Sequence, residues 1–223
     1  MKKVAVIVAG GSGQRMKSDT PKQFLLLKEK PVLVHTVEAF LNAYADMEVI
    51  VVVPKANIAE VEKLFIGHAT ERIFITAGGG TRFHSVKNGL SLIKEKSIVF
   101  VHDGVRCLVT PNLIQRCFQQ AIEKGSAVPF TYATDSIRLM SDAENHSVID
   151  RKQVAIIQTP QVFKSTIILP AFEKEFDERF TDEATVVEAS GLRLHLIEGE
   201  HENIKITRPV DLVIADIILN QRG

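Results

Sequence analysis

The sequence predicts an α/β protein: a doubly wound, mostly parallel sheet with a projecting β-hairpin arm. Three observations predict it. Strand-like and helix-like segments alternate from Val4 to Phe130, the mark of repeated βαβ units. The strand-like segments are continuous apolar runs, as expected where both faces of a parallel sheet are covered. Beyond Ala133 the alternation breaks into two short β-like runs around a polar turn. The 223 residues suit one α/β domain over 1–223, with an arm at about 133–153, and can bury a sizeable core.

The elements follow in order. Val4-Ala5-Val6-Ile7-Val8 is a buried strand, and it leads into the turn AGGSGQRM. Glycines there let a ligand approach the backbone, and successive amide N–H groups make a concave anion site. Arg15 and Lys22 add two cations, with Pro21 stiffening the chain before the lysine. A triphosphate suits this loop, although a plain tight turn would use the same residues. It is neither a P-loop, since no Gly-x-x-x-x-Gly-Lys-Ser/Thr occurs, nor a dinucleotide fingerprint, since Gly11-x-Gly13 is followed by Met16.

Pro31 reads as the first turn of a helix that carries Leu33, Val37, Phe40 and Leu41 inward. Glu48–Val53 is the second strand, and Ile58, Val61, Leu64 and Phe65 mark the next helix. Ile73–Thr76 is a third strand. It ends in a second glycine turn, Gly78-Gly79-Gly80, with Arg82 and Ser85 just after it and a helix through Val86, Leu90 and Ile93. Ligands of open α/β sheets sit outside the carboxyl ends of the strands, so both turns should face one crevice. Ile98–Val101 is the fourth strand, followed by His102-Asp103-Gly104-Val105-Arg106. An acid at such a strand end can hold Mg²⁺, which takes one or two carboxylates beside waters and phosphate oxygens; it can equally cap a turn.

Pro111 to Lys124 is a helix with Leu113, Ile114, Cys117, Phe118 and Ala121 inward, and Ala127–Phe130 is a fifth strand. Asp135–Met140 and Ser147–Ile149 form the hairpin around residues 141–146. A small isolated hairpin is marginal in water, so this arm should lie on something, and a second copy of the chain is the simplest candidate. Val154–Ile157 returns to the sheet, Thr159-Pro160-Gln161 turns, and Ser165–Phe176 reads as helical. Thr181-Asp182-Glu183 starts another helix, Leu192–Ile197 is a strand, and Ile204-Lys205-Ile206 a short strand with a cation at its middle. Pro209 opens the last helix, with Val213, Ile217 and Asp216 near its inner border.

Composition excludes several classes. Lys+Arg and Asp+Glu both total 27, so there is no general basic surface for nucleic acid. The two cysteines, Cys107 and Cys117, make neither a disulfide scaffold nor a zinc site, and the seven histidines lack metal-ligand spacing. No Gly-x-Ser-x-Gly nucleophile elbow occurs. The apolar run after Met1-Lys2-Lys3 is too short for a signal peptide, and no run approaches a membrane span, so a cytoplasmic protein is expected.

Further segments carry a family resemblance. AGGSGQRM with PKQF, then GGGTRFHSV, HDGVR, TDSIR, DRKQVAIIQTPQVF, TDEA and NIKITRPVDL stand in the order seen in cytidylyltransferases. From Val4 to Asp211 the chain most resembles the 2-C-methyl-D-erythritol 4-phosphate cytidylyltransferase family of the non-mevalonate isoprenoid pathway. The resemblance implies a Rossmann-like CTP-binding fold, a homodimer that exchanges its β-arms, and transfer of CMP from CTP to methylerythritol phosphate with release of pyrophosphate. By the family pattern, Ala9, Gly10, Gly11, Gly79 and Ser85 surround the cytidine, with Arg82 and Gly104 as further nucleotide contacts. Arg15 and Lys22 hold the triphosphate, and Asp103 binds Mg²⁺ or another divalent cation. Arg106, Ser136, Arg151, Thr159, Thr181 and Lys205 receive methylerythritol phosphate beside Asp103. Of these, Ser136, Arg151 and Thr159 would serve the partner's site. Arg15, Lys22, Arg151 and Lys205 would carry catalysis.

One departure from the pattern matters: Cys107 stands where the family usually has proline, which bears on loop rigidity; Ser136 stands where threonine is also common, and the hydroxyl is kept. The acceptor would be a phosphate monoester, whose second pKa of about 6 leaves it largely ionised, so no general base is needed. Ribitol-5-phosphate cytidylyltransferase is the alternative enzyme; Arg138 after Ile137 and Arg208 after Thr207 favour the methylerythritol enzyme. A non-catalytic nucleotide-binding module is the alternative of a different class. It would have lost Lys22, Asp103 or Lys205, and all three are present.

Overall fold

Why the apolar runs become strands is visible in the computed structural model, which describes residues 1–11, 16, 20–68, 70–142 and 144–222. The elements are β1 (Lys2–Val8), β2 (Leu26–Leu27), β3 (Lys30–Pro31), α1 (Val32–Ala43), β4 (Met47–Val53), α2 (Ile58–Leu64) and β5 (Ile73–Ala77). Then come α3 (Arg82–Leu90), β6 (Ser97–Asp103), α4 (Pro111–Lys124), β7 (Ser126–Tyr132), β8 (Ile137–Met140) and β9 (His146–Ile149). The chain closes with β10 (Ala155–Ile157), β11 (Gln161–Lys164), α5 (Ser165–Ala171), α6 (Glu183–Glu188), β12 (Leu196–Glu198) and α7 (Pro209–Arg222).

The main sheet runs β10-β7-β11-β6-β1-β4-β5, with β12 paired to β7. β5, β4, β1 and β6 are mutually parallel, whereas β11 lies antiparallel between β6 and β7. Period-two alternation assigns the two faces. Ala5, Ile7, Val49, Val51, Ile98 and Phe100 point into one core with α1 and α4. Val4, Val6, Ile50, Val52, Val99 and Val101 point into the other with α3, α5 and α6. Each fully buried aliphatic side chain of this kind contributes about 1.5–3 kcal/mol. A third cluster seats α7 against Val105, Cys107, Leu108 and Ile206.

Several expectations are corrected. Gln161, expected in a turn, instead opens β11, a buried strand after the cis Thr159–Pro160 peptide that was not expected. Pro31 is the N-cap of α1 rather than its first turn. The helix from Ser165 ends at Ala171, well before Phe176, and β12 is only three residues long. Residues 204–206 form no strand; Ile206 is tied in by its N–H to the Val105 carbonyl. On α7, Ala215 faces inward with Leu212, Ile218 and Leu219, whereas Val213 and Ile217 are exposed. Pro111–Lys124 is helical as expected, with Thr110 accepting from the Leu113 N–H and Gly125 left-handed at its end. The hairpin β8–β9 forms as expected and is a two-stranded sheet of its own.

Candidate active site

Strand register brings the glycine turns together. Val8 at the end of β1 is level with Val52 and with Asp103, and Val53 is level with Ala77. The alignment continues past the strands: Ala9 N–H donates to the Val52 carbonyl, Gly78 N–H to Val53 and Gly104 N–H to Val8. The chain builds outward from β1 to β5, then crosses back through α3 to place β6 on the other side of β1. Strand order therefore reverses at β1, where open α/β sheets bind ligands.

A cavity of about 240 Å³ opens at this point. Ala9, Gly10, Gly11, Lys22, Gly79, Arg82, Ser85, Asp103 and Lys205 line it, all of them expected there. Gly80, from the second glycine turn, lines it too, as do Val8, Gln23, Thr81 and Val105, which were not singled out as site residues. Among the described residues no atom lies within 4 Å of where a Cβ on Gly10 would stand, which leaves room for a ligand there. Gly104 plays another part: a Cβ there would lie 2.9 Å from that of Ala9 and 3.2 Å from the Val8 carbonyl oxygen. It is the spacer that lets β1 and β6 end side by side. In the second turn Gly79 N–H donates to Ser85 Oγ at 3.1 Å, and Ser85 donates to the Thr81 carbonyl at 2.9 Å.

Asp103 is the electrostatic centre. Lys205 Nζ lies 2.9 Å and Arg106 Nε 3.4 Å from its Oδ2, and Arg82 Nη2 is 3.3 Å from its Oδ1. Burial opposes ionisation of this carboxyl, but Arg82, Lys205 and Arg106 together hold it far below the usual carboxylate range. Lys22 Nζ donates to the Ile206 carbonyl at 3.2 Å, linking the first turn to the segment that carries Lys205.

Behind Asp103 is a relay of neutral groups. Asp103 N–H donates to Thr159 Oγ1 at 3.2 Å, which lies 2.9 Å from His102 Nδ1. The other ring nitrogen of His102 faces the Arg106 carbonyl at 3.0 Å. A ring that donates from Nε2 and accepts at Nδ1 satisfies both contacts while uncharged. Burial pushes its pKa down to about 4. Thr159, expected to meet the acceptor, is thus buried with its hydroxyl bonded inside the fold.

The remaining expected residues are distributed differently. Arg106 approaches the cavity only through Asp103 and donates to the Asn203 carbonyl at 2.9 Å. Thr181 is exposed just before α6, and Ser136 and Arg151 are exposed on or beside the arm, with Arg151 donating to the Thr134 carbonyl. Arg15 lies outside the described residues. Glu183, buried and bonded to Arg82, had passed as an ordinary helix-start acid. Cys107 and Cys117 are buried, and burial pushes both thiols up to about 12. Among the described residues no group of three or more His, Cys, Asp or Glu could hold a metal, and no helix is long and apolar enough to cross a membrane.

Comparison with known proteins bears on the fold and the family. The profile of the 2-C-methyl-D-erythritol 4-phosphate cytidylyltransferase family matches residues 3–221. The chain is 44% identical over 220 residues to the protein of that name from Bacteroides thetaiotaomicron, covering 98% of this chain and 100% of the relative. It is 42% identical to the Bacteroides fragilis protein, again over 98% of this chain and 100% of the relative. Among solved structures it is similar to 4-diphosphocytidyl-2C-methyl-D-erythritol synthase from Anaerococcus prevotii, with a TM-score of 0.84, 26% identity, and 98% and 96% of the two chains covered. The Thermus thermophilus cytidylyltransferase gives a TM-score of 0.77 at 28% identity, with 99% and 100% covered.

Proposed function

Given that the chain belongs to the 2-C-methyl-D-erythritol 4-phosphate cytidylyltransferase family, we propose that it transfers CMP from CTP to 2-C-methyl-D-erythritol 4-phosphate. A phosphate oxygen of the acceptor attacks the α-phosphorus of CTP. The bond between the α- and β-phosphates breaks, and pyrophosphate leaves. One observation carries the reading: two glycine turns, Lys22, Arg82, Asp103 and Lys205 share one crevice where the strand order reverses.

The chemical difficulty is bringing one polyanion to another. Lys22 and Arg82 neutralise the triphosphate, and Lys205 orients the incoming phosphate in line with the departing pyrophosphate. Arg15 belongs to the triphosphate set by the family pattern. No proton need be removed from the acceptor, which agrees with a His102 held neutral inside the fold. Among the described residues Asp103 is the one carboxylate lining the cavity, and its Oδ1 meets Arg82 Nη2 at 3.3 Å. A single carboxylate suits Mg²⁺ when phosphate oxygens complete the shell. A divalent cation held there would supply positive charge to the triphosphate.

The arm supports a homodimer. Leu139, Met140 and Val148 are 58%, 54% and 72% exposed on a two-stranded hairpin outside the main sheet. Laid against a second copy, the arm would bury them and present Ser136 and Arg151 to the partner's acceptor site. The substrates are soluble phosphates, and the reading places the enzyme in the cytoplasm as a single domain over 1–223. The test is pyrophosphate release with CTP and Mg²⁺, run with methylerythritol phosphate and with ribitol 5-phosphate. Release with the first alone is expected. Release with ribitol 5-phosphate alone would overturn the acceptor assignment, and silence with both from CTP-binding protein would overturn the enzyme.

A further inference from the structure

Glu183 is the first residue of α6, yet it is 1% exposed. Both its carboxylate oxygens meet one guanidinium: Arg82 Nη1 bonds Oε1, and Nη2 bonds Oε2 at 3.1 Å. The same Nη2 is 3.3 Å from Asp103 Oδ1. Arg82 lines the cavity, but Glu183 does not. Burying a carboxylate is costly unless it is paired and hydrogen-bonded, so this side chain needs a reason to be there.

Helix formation does not supply it. Asp182 and Thr185 already make a complete capping box for α6. The Ala184 N–H is taken by Gln161 Oε1 at 2.7 Å. The hydrogen bonds of the Glu183 carboxylate go to Arg82 rather than to the N–H groups of that start. Arginine is a planar fork, and a carboxylate that takes both of its ends fixes its orientation as well as its charge. Asp103, which Arg82 Nη2 already meets at 3.3 Å, is the competing acid: without the Glu183 anchor the guanidinium would tighten onto it and turn from the nucleotide.

We propose that Glu183 is a positioning residue for CTP: it holds the Arg82 guanidinium at the cavity wall, oriented toward the triphosphate and kept from closing on Asp103. This rests on the cytidylyltransferase reading above and adds a residue that touches neither substrate. CTP dissociation constants by calorimetry and Michaelis constants for both substrates test it. Glu183→Gln keeps the shape and removes the charge. It should weaken CTP about tenfold or more, in keeping with loss of a charged hydrogen-bonded pair, and leave the KM for methylerythritol phosphate within about twofold. Glu183→Asp, which keeps the charge, should recover part of the loss. A folded Glu183→Gln protein with wild-type CTP affinity, or with both substrates weakened equally, would overturn the proposal. If that variant does not fold, Arg82→Lys decides: a point charge cannot span both oxygens, so CTP should weaken at least about fivefold, and unchanged affinity would overturn the proposal. Wild-type protein that neither binds CTP nor releases pyrophosphate would instead overturn the parent reading, and this inference with it.

Discussion

Lowering the pH from about 7 to about 4 should destabilise this protein through His102, whose shift spans that window. The ring is fully buried, and burial is the largest influence on it; the Arg106 carbonyl and the Asp103 charge pull the other way and do not prevail. Its pKa falls from 6.5 to about 4 on folding. Between those values the unfolded chain binds a proton that the folded ring refuses, so stability falls as pH drops through that window. A difference of that size corresponds to about 3 kcal/mol. Urea unfolding from about pH 7 to about pH 4 measures it, with His102→Gln as the control. Glutamine can donate to the Arg106 carbonyl and accept from Thr159, yet does not titrate. The variant should lose about 1–2 kcal/mol near neutral pH through imperfect geometry, and its stability should fall about 3 kcal/mol less on acidification. Equal pH dependence in the two proteins would refute the reasoning, because every other titrating group is common to both.

Three further outcomes are expected. Lys22→Ala should lower turnover about 10²–10³-fold while the melting curve is little changed, as for loss of one charge-stabilising group; a folded variant with wild-type kinetics would remove Lys22 from the mechanism. Gly104→Ala should cost about 1–3 kcal/mol in urea unfolding, since its Cβ meets Ala9 at 2.9 Å, and a neutral effect would show that the β1–β6 junction yields freely. Mixing inactive Arg151→Ala and Lys22→Ala chains should restore activity in heterodimers. Proven subunit exchange without recovery would argue against a site completed by the partner's arm.

How much of this was legible in the sequence depended on whether a local signal was sufficient. The helix Pro111–Lys124 was, because Thr110, Pro111, an apolar stripe and Gly125 all state the same boundaries. The glycine turns and Asp103 were legible because their place after apolar strands is itself the signal. β11 was not: Gln161–Lys164 follows a proline turn, and what makes it a strand is the pairing with β6 and β7. The inward face of α7 was misjudged because Val210, Val213, Ile214 and Ile217 make an apolar stripe as strong as the buried one. Thr159 matched a family motif, but no sequence pattern shows that its hydroxyl is turned to His102. Glu183 was hidden for the opposite reason: an acid in the first turn of a helix has a local explanation, and its contact with Arg82 spans 101 positions.

The central claim is that an acceptor phosphate oxygen attacks the α-phosphorus of CTP in the crevice between β1 and β6. Turnover with methylerythritol phosphate carrying ¹⁸O in its phosphate, followed by ³¹P NMR and mass spectrometry, tests it most directly. The account predicts that all the label stays in the CDP-linked product, including its bridging oxygen, and that the pyrophosphate carries none. Label in pyrophosphate, or CMP as the leaving group, would contradict it.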